Sequence, residues 1–137
     1  MKLYSLFLIL LALAFIIACQ PSAENTSIEE PVEPLTDGMF IHITKGPDNP
    51  HEVLMALQMA VMMVETQDVL IYFDIDGAQV VLNDSEDLTF SHFPSLHTQI
   101  KKLADLGVTM MACPGCLKVI GKTGDDLMPG VTVAERE

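Results

Sequence analysis

A chain of 137 residues is long enough for one folded domain and no more. It holds 19 acidic against seven basic residues, a formal net charge of −12. That surface repels phosphate backbones and excludes a nucleic-acid role.

The chain opens with a single Lys and a near-continuous apolar run over residues 3–18. A charged start followed by a hydrophobic stretch is the pattern of an export signal, and 16 residues fall short of the roughly 20 that span a bilayer as a helix. The run supplies much of the hydrophobic content of the chain. It ends Ile16-Ile17-Ala18-Cys19, which resembles the bacterial lipoprotein cleavage box. That resemblance implies a signal peptide over residues 1–18, lipid on Cys19 as the first mature residue, and a protein anchored in a membrane outside the cytoplasm. An ordinary signal peptide or an uncleaved anchor is the alternative. After Cys19 the balance is six basic residues against 19 acidic ones, a net −13. Residues 20–38 hold three Pro, five acidic residues and no basic one, without periodic apolar positions, and read as a disordered linker. The folded domain is expected over residues 39–137.

Residues 39–44 (Met-Phe-Ile-His-Ile-Thr) read as a first strand, and residues 45–50 as turn chemistry. A helix follows over residues 50–65, with Val53, Leu54, Leu57, Val61 and Val64 at helical period. It also carries Met55, Met59, Met62 and Met63. A row of thioethers suits Cu(I), but Met is more often core filler, and that is the expectation. Residues 68–73 form a second, uniformly apolar strand, the mark of a parallel strand covered on both faces. Asp74 and Asp76 at its end read as turn residues around Gly77 rather than as a metal or acid–base pair. Residues 78–82 fit a short strand or a helical turn equally, and residues 83–87 an acidic loop.

A second helix opens at residues 91–95, with Leu96, Ile100, Leu103 and Leu106 on one face and Gly107 as its stop. Residues 108–112 form a third buried strand. A short helix reaches residue 120, a polar loop covers 121–130, and Val131-Thr132-Val133 is a fourth strand. Strands alternating with helices argue a parallel sheet with helices on both faces. Chemistry in such sheets gathers at the carboxyl ends of the strands, where Thr44, Asp74 and Cys113 fall.

The stretch Ala112-Cys113-Pro114-Gly115-Cys116 stands at the third of those ends. Pro114 suits the first helical position, which sets Cys113 at the N-cap and Cys116 in the first turn. Unpaired N–H groups there favour a thiolate and lower a thiol pKa from its free value of about 8.5. In an exported chain the bland reading is a disulfide, but so small a loop gains little from closure. Zinc lacks a second Cys pair, and His42, His51, His92 and His97 show no ligand spacing, so a zinc site could only form across subunits. His42 and His51 are candidates to neighbour the sulfurs. Gly121-Lys122-Thr123 is no phosphate loop: Cys116 stands where the first Gly would be, and the segment follows a helix. Nor does Cys-Pro-Gly-Cys after a third strand match a thioredoxin motif.

Gly-Val-Thr-Met-Met-Ala-Cys-Pro-Gly-Cys-Leu-Lys-Val-Ile-Gly, with Ile-Thr-Lys-Gly-Pro-Asp and Val-Leu-Ile-Tyr-Phe-Asp-Ile-Asp-Gly-Ala upstream, resembles the DsrE/DsrF-like superfamily of DsrE, TusD and YchN type. The likeness covers residues 39–133. It implies an α/β flavodoxin-like three-layer sandwich around a small, mostly parallel sheet of four or so strands, without the last helix and strand in which relatives continue. It also implies homo- or hetero-oligomers with DsrE-like subunits, and a Cys that carries sulfur as a persulfide. By position that Cys is Cys113, eight before Gly121, and Cys116 matches the second Cys of YchN-like members. The Arg that often precedes the motif Gly is Ile120 here.

The sequence therefore points to an exported, lipid-anchored sulfur carrier or sulfurtransferase-like protein. Cys113 and Cys116 do the chemistry, sulfane sulfur is the covalent cargo, and a donor or acceptor protein is the partner. No bound cofactor is called for. A non-catalytic oligomeric module holding Cu(I), or a dithiol–disulfide redox protein, is the alternative.

Overall fold

Residues 37–135 are described in a computed structural model. The signal, lipidation and linker readings fall almost wholly on residues 1–36, outside the described residues. Four strands form one parallel sheet in chain order: β1 (Gly38–Ile43), β2 (Asp68–Phe73), β3 (Thr109–Ala112) and β4 (Val131–Val133). β1 and β2 align Gly38 with Asp68 and Ile43 with Phe73. β2 and β3 align Phe73 with Ala112, and β3 and β4 align Ala112 with Val133. The strand ends thus form a single edge, and the residues just beyond them are brought side by side.

Between β1 and β2 runs α1 (Pro50–Met63), opened by Pro50 in its first turn, where a missing N–H costs nothing. α2 (Leu96–Asp105) leads into β3, and α3 (Pro114–Val119) leaves it. α2 and α3 end alike. Gly107 and Gly121 take φ values of 76° and 70°. The next N–H returns to the last turn: Val108 to the Leu103 carbonyl at 3.0 Å, Lys122 to that of Leu117 at 2.9 Å. Neither of the forms left open for residues 78–82 spans that segment. Ile75–Gln79 is a 3-10 turn, and Leu82 then makes an isolated antiparallel bridge to Leu127.

The four-stranded parallel sheet with its helices is the expected flavodoxin-like α/β fold. Ile41, Ile43, Val69, Ile71, Phe73, Met110, Ala112 and Val131 lie on one sheet face and are buried with Val53, Leu54 and Leu57 of α1 and Leu96, Ile100 and Leu103 of α2. The alternate residues are open: Phe40 is 60% exposed, His42 is exposed, and Leu70, Tyr72 and Met111 are half-buried. The α/β parallel class holds, but among the described residues no second helical layer covers this face. Strand order is the reason. Parallel strands laid down in sequence never reverse direction, so crossovers of one hand fall on one side.

The methionines of α1 also differ from expectation. Met55, Met59 and Met62 are exposed, and Met63 is only half-buried. α1 is apolar nearly all round, and the branched side chains Val53, Leu54, Leu57 and Val61 take its inner stripe. Leu106, expected on the inner face of α2, is its exposed C-cap residue.

Candidate functional site

Cys113 is the N-cap residue of α3 and continues directly from β3. Its N–H donates to the Phe73 carbonyl at 2.9 Å, so β2 fixes where the thiol emerges. Strand alternation decides the direction. Ala112 faces the core and is fully buried, so Cys113 turns to the open face. Pro114 sits in the first turn of α3, and the Cys116 N–H donates to the Cys113 sulfur at 3.4 Å. Both cysteines are free thiols and half-buried.

The same alternation on β2 puts Tyr72 and Asp74 on the open side. Tyr72 flanks Cys113 across the β2–β3 pairing, in which Phe73 faces Ala112. Asp74 Oδ2 lies 2.8 Å from His42 Nε2, and the His42 and Tyr72 rings stand 5.8 Å apart. Beyond Asp74, Ile75 takes a φ of 48°. That is a left-handed conformation rarely adopted by a β-branched side chain. It aims the Ile75 N–H at the Cys116 sulfur, 3.1 Å away. Strain of this kind persists only where surrounding structure imposes it. Here Gly77 donates to the carbonyls of Thr44 and Asp74 at 3.2 and 2.8 Å and locks the turn to the end of β1.

These contacts separate the two thiols. Cys113 is held below the usual thiol value, chiefly because the Cys116 S–H donates to it. Partial burial opposes this, and the Cys116 N–H, the Tyr72 hydroxyl and the Gly115 N–H add to it. Cys116 is raised, first because its proton is committed to Cys113, then by burial and by the charges of Cys113 and Asp74, with only the Ile75 N–H acting the other way. Tyr72 is pushed up to about 12, first by its bond to Cys113, and so remains a donor at any physiological pH. The arrangement favours a thiolate at Cys113 over one at Cys116. The thiolate is the nucleophilic form.

The sequence singled out both cysteines and their places on α3. It treated Asp74 as a turn residue and Tyr72 as one more apolar strand position. The available signal was the tyrosine itself, since a hydroxyl on an otherwise apolar strand must find a partner. His42, one of two histidines expected near the sulfurs, reaches the site through Asp74. His51 does not; it stacks on Phe90 at a ring distance of 4.5 Å. Asp76 accepts from Gln79 at 3.2 Å and is a turn residue, as expected. Among the described residues no three His, Cys, Asp or Glu side chains gather into a metal-binding group. The row Met55, Met59 and Met62 lies on the exposed side of α1, an element separate from the thiols.

A model of the family described as DsrE/DsrF-like matches residues 37–137. Two solved structures share the fold. The YchN protein from E. coli is 16% identical, with a TM-score of 0.61 over 73% of this chain and 85% of its own. MTH1491 from Methanobacterium thermoautotrophicum, a protein of unknown function, is 21% identical, with a TM-score of 0.53 over 72% and 80%. A comparison with curated proteins gives no match.

Proposed function

Because this chain belongs to the DsrE/DsrF-like family, we propose that it is a sulfur carrier loaded on Cys113. The observation that supports this is the Cys113 sulfur, half-buried on the open side of the sheet and surrounded by donors. In the loading step the thiolate attacks the sulfane sulfur of a persulfide or polysulfide, R–S–SH. A new S–S bond forms, the old one breaks, and RS⁻ leaves, giving Cys113–S–SH without net redox change. An acceptor thiolate reverses this step on its own behalf. Alternatively the Cys116 thiol attacks Cys113. The Cys113–Cys116 disulfide forms, the sulfane sulfur leaves as hydrogen sulfide, and a thiol reductant then restores the pair. The signal-like residues 1–18 and Cys19 support an exported, lipid-anchored location, and family membership supports assembly with DsrE-like subunits.

Mass spectrometry after incubation with polysulfide tests the reading. One added sulfur is expected on Cys113, none in Cys113→Ser, and a longer-lived adduct in Cys116→Ser. The absence of an adduct in the wild type, or an equal adduct in Cys113→Ser, overturns it. Tight Cu(I) binding under reducing conditions, lost in the double Cys variant and found without sulfur loading, establishes the soft-metal alternative instead.

A further inference from the structure

We propose that His42 and Met55, completed by Met59 from the next turn of α1, form a binding site for a soft monovalent cation, Cu(I). The site uses neither thiol and stands independently of sulfur transfer. His42 and Met55 line one cavity of about 220 Å³ between the end of β1 and the start of α1, together with Thr44, Lys45 and Glu52.

Each donor is set up for a metal. Asp74 Oδ2 lies 2.8 Å from His42 Nε2. In the neutral imidazole this contact keeps the proton on Nε2, which donates to the carboxylate. Nδ1 then carries the free lone pair, and no protein group among the described residues bonds it. Phe40 and Tyr72 steady the ring, at 6.0 and 5.8 Å between ring centres. A carboxylate behind an imidazole whose other nitrogen is open is the arrangement that orients metal-ligating histidines. Met55 and Met59 are each 47% exposed, so core packing does not account for them. At a spacing of four their Cβ atoms stand about 5–6 Å apart. A helical side chain leans over the preceding turn, which brings Met59 back toward Met55.

The donor set selects the ion. Thioether sulfur is soft and neutral and favours Cu(I), which imidazole also suits. Zn(II) is held by thiolates, several imidazoles or carboxylates instead. The surrounding charge favours a cation, since Asp74 and Glu52 stand against the single Lys45.

The test is Cu(I) titration of the full chain carrying Cys19→Ser, Cys113→Ser and Cys116→Ser, in which no thiol remains. Bicinchoninate competes for the ion under anaerobic conditions. One equivalent of Cu(I) is expected to bind. Met55→Leu keeps the volume and removes only the sulfur, and it is expected to abolish binding. His42→Phe keeps the ring and is expected to do the same. Asp74→Asn leaves every ligand in place and should weaken binding about tenfold. Met62→Leu, about 10 Å further along the helix axis from Met55, should leave it unchanged. In NMR spectra, Cu(I) should shift the His42 ring and the Met55 and Met59 methyl resonances together. A thiol-free chain that binds no Cu(I) overturns the site, as does binding that survives Met55→Leu or His42→Phe. Tighter binding of Zn(II) than of Cu(I) overturns the choice of ion. None of these outcomes depends on a sulfur adduct at Cys113.

Discussion

The two faces of the sheet are built from the same strands and serve opposite ends. On one, Ile71, Phe73, Met110 and Ala112 are sealed beneath α1 and α2 and present no side-chain polar atom capable of a strong hydrogen bond. On the other, His42, Tyr72 and Cys113 line up at the strand ends, with Asp74 between them. Phe73 and Tyr72 are neighbours in sequence, yet one is fully buried and the other is half-buried on the face that carries Cys113. Stability and chemistry are thus assigned to alternate residues, and a register slip of one position would exchange them. The division also keeps the thiolate out of the core, where a charge without partners is costly.

The sharpest way to break this comparison is to truncate each face in turn. Phe73→Ala removes a fully buried ring and is expected to cost about 3–5 kcal/mol in urea unfolding. Tyr72→Phe is expected to stay within about 1 kcal/mol of the wild type, because only a half-buried hydroxyl is lost. A loss under about 1 kcal/mol for Phe73→Ala would show that the helices do not seal the inner face as described. Equal losses in the two variants would erase the distinction between the faces.

A smaller effect is expected where the faces meet. A Cβ on Gly77 would stand 2.1 Å from the Ile43 carbonyl oxygen and 2.9 Å from its carbon, both backbone atoms that cannot swing aside. Gly77→Ala must therefore push the 3-10 turn away from the end of β1, at about 1–3 kcal/mol. The displaced turn carries Ile75, so the donor at Cys116 moves too. Cys116 loses the one N–H that lowers it, and its alkylation at neutral pH should fall further. Unchanged stability would mean that the turn is not clamped to β1.

Much of this organisation is legible in the residues themselves. The strands announce themselves as apolar runs bounded by turn chemistry, and Leu96, Ile100 and Leu103 mark the inner face of α2 because polar residues flank them. The Pro114 position and the Cys spacing place the thiols at the start of α3 for local reasons. What is not legible depends on layers and long-range pairing. In α1 only Glu52 of 14 residues is charged, so periodicity cannot tell the exposed Met55, Met59 and Met62 from the buried Leu54 and Leu57. That one sheet face stays open follows from strand order, which no local pattern reveals. Once that face is known to be open, alternation alone puts His42, Tyr72 and Asp74 on it. Without it they read as a buried histidine, a strand aromatic and a turn aspartate. Ile75 offered no local signal, since its strained conformation is held by a turn locked to Thr44 at the far end of β1.

The smallest effect concerns that residue. A left-handed conformation costs a non-glycine residue about 1–2 kcal/mol, while glycine loses about 0.5–1 kcal/mol through its freer unfolded chain. The Ile75 side chain is 61% exposed and gives up little burial if removed. Ile75→Gly should therefore leave the protein as stable as before or more stable by up to about 1 kcal/mol, a rise of a few degrees in melting temperature. A residue kept against its own backbone preference is then explained by the site rather than by the core, since its N–H is what Cys116 receives. A clear loss of stability in Ile75→Gly would show instead that the side chain makes contacts worth more than the strain, and would move Ile75 from the chemical side of the comparison to the structural one.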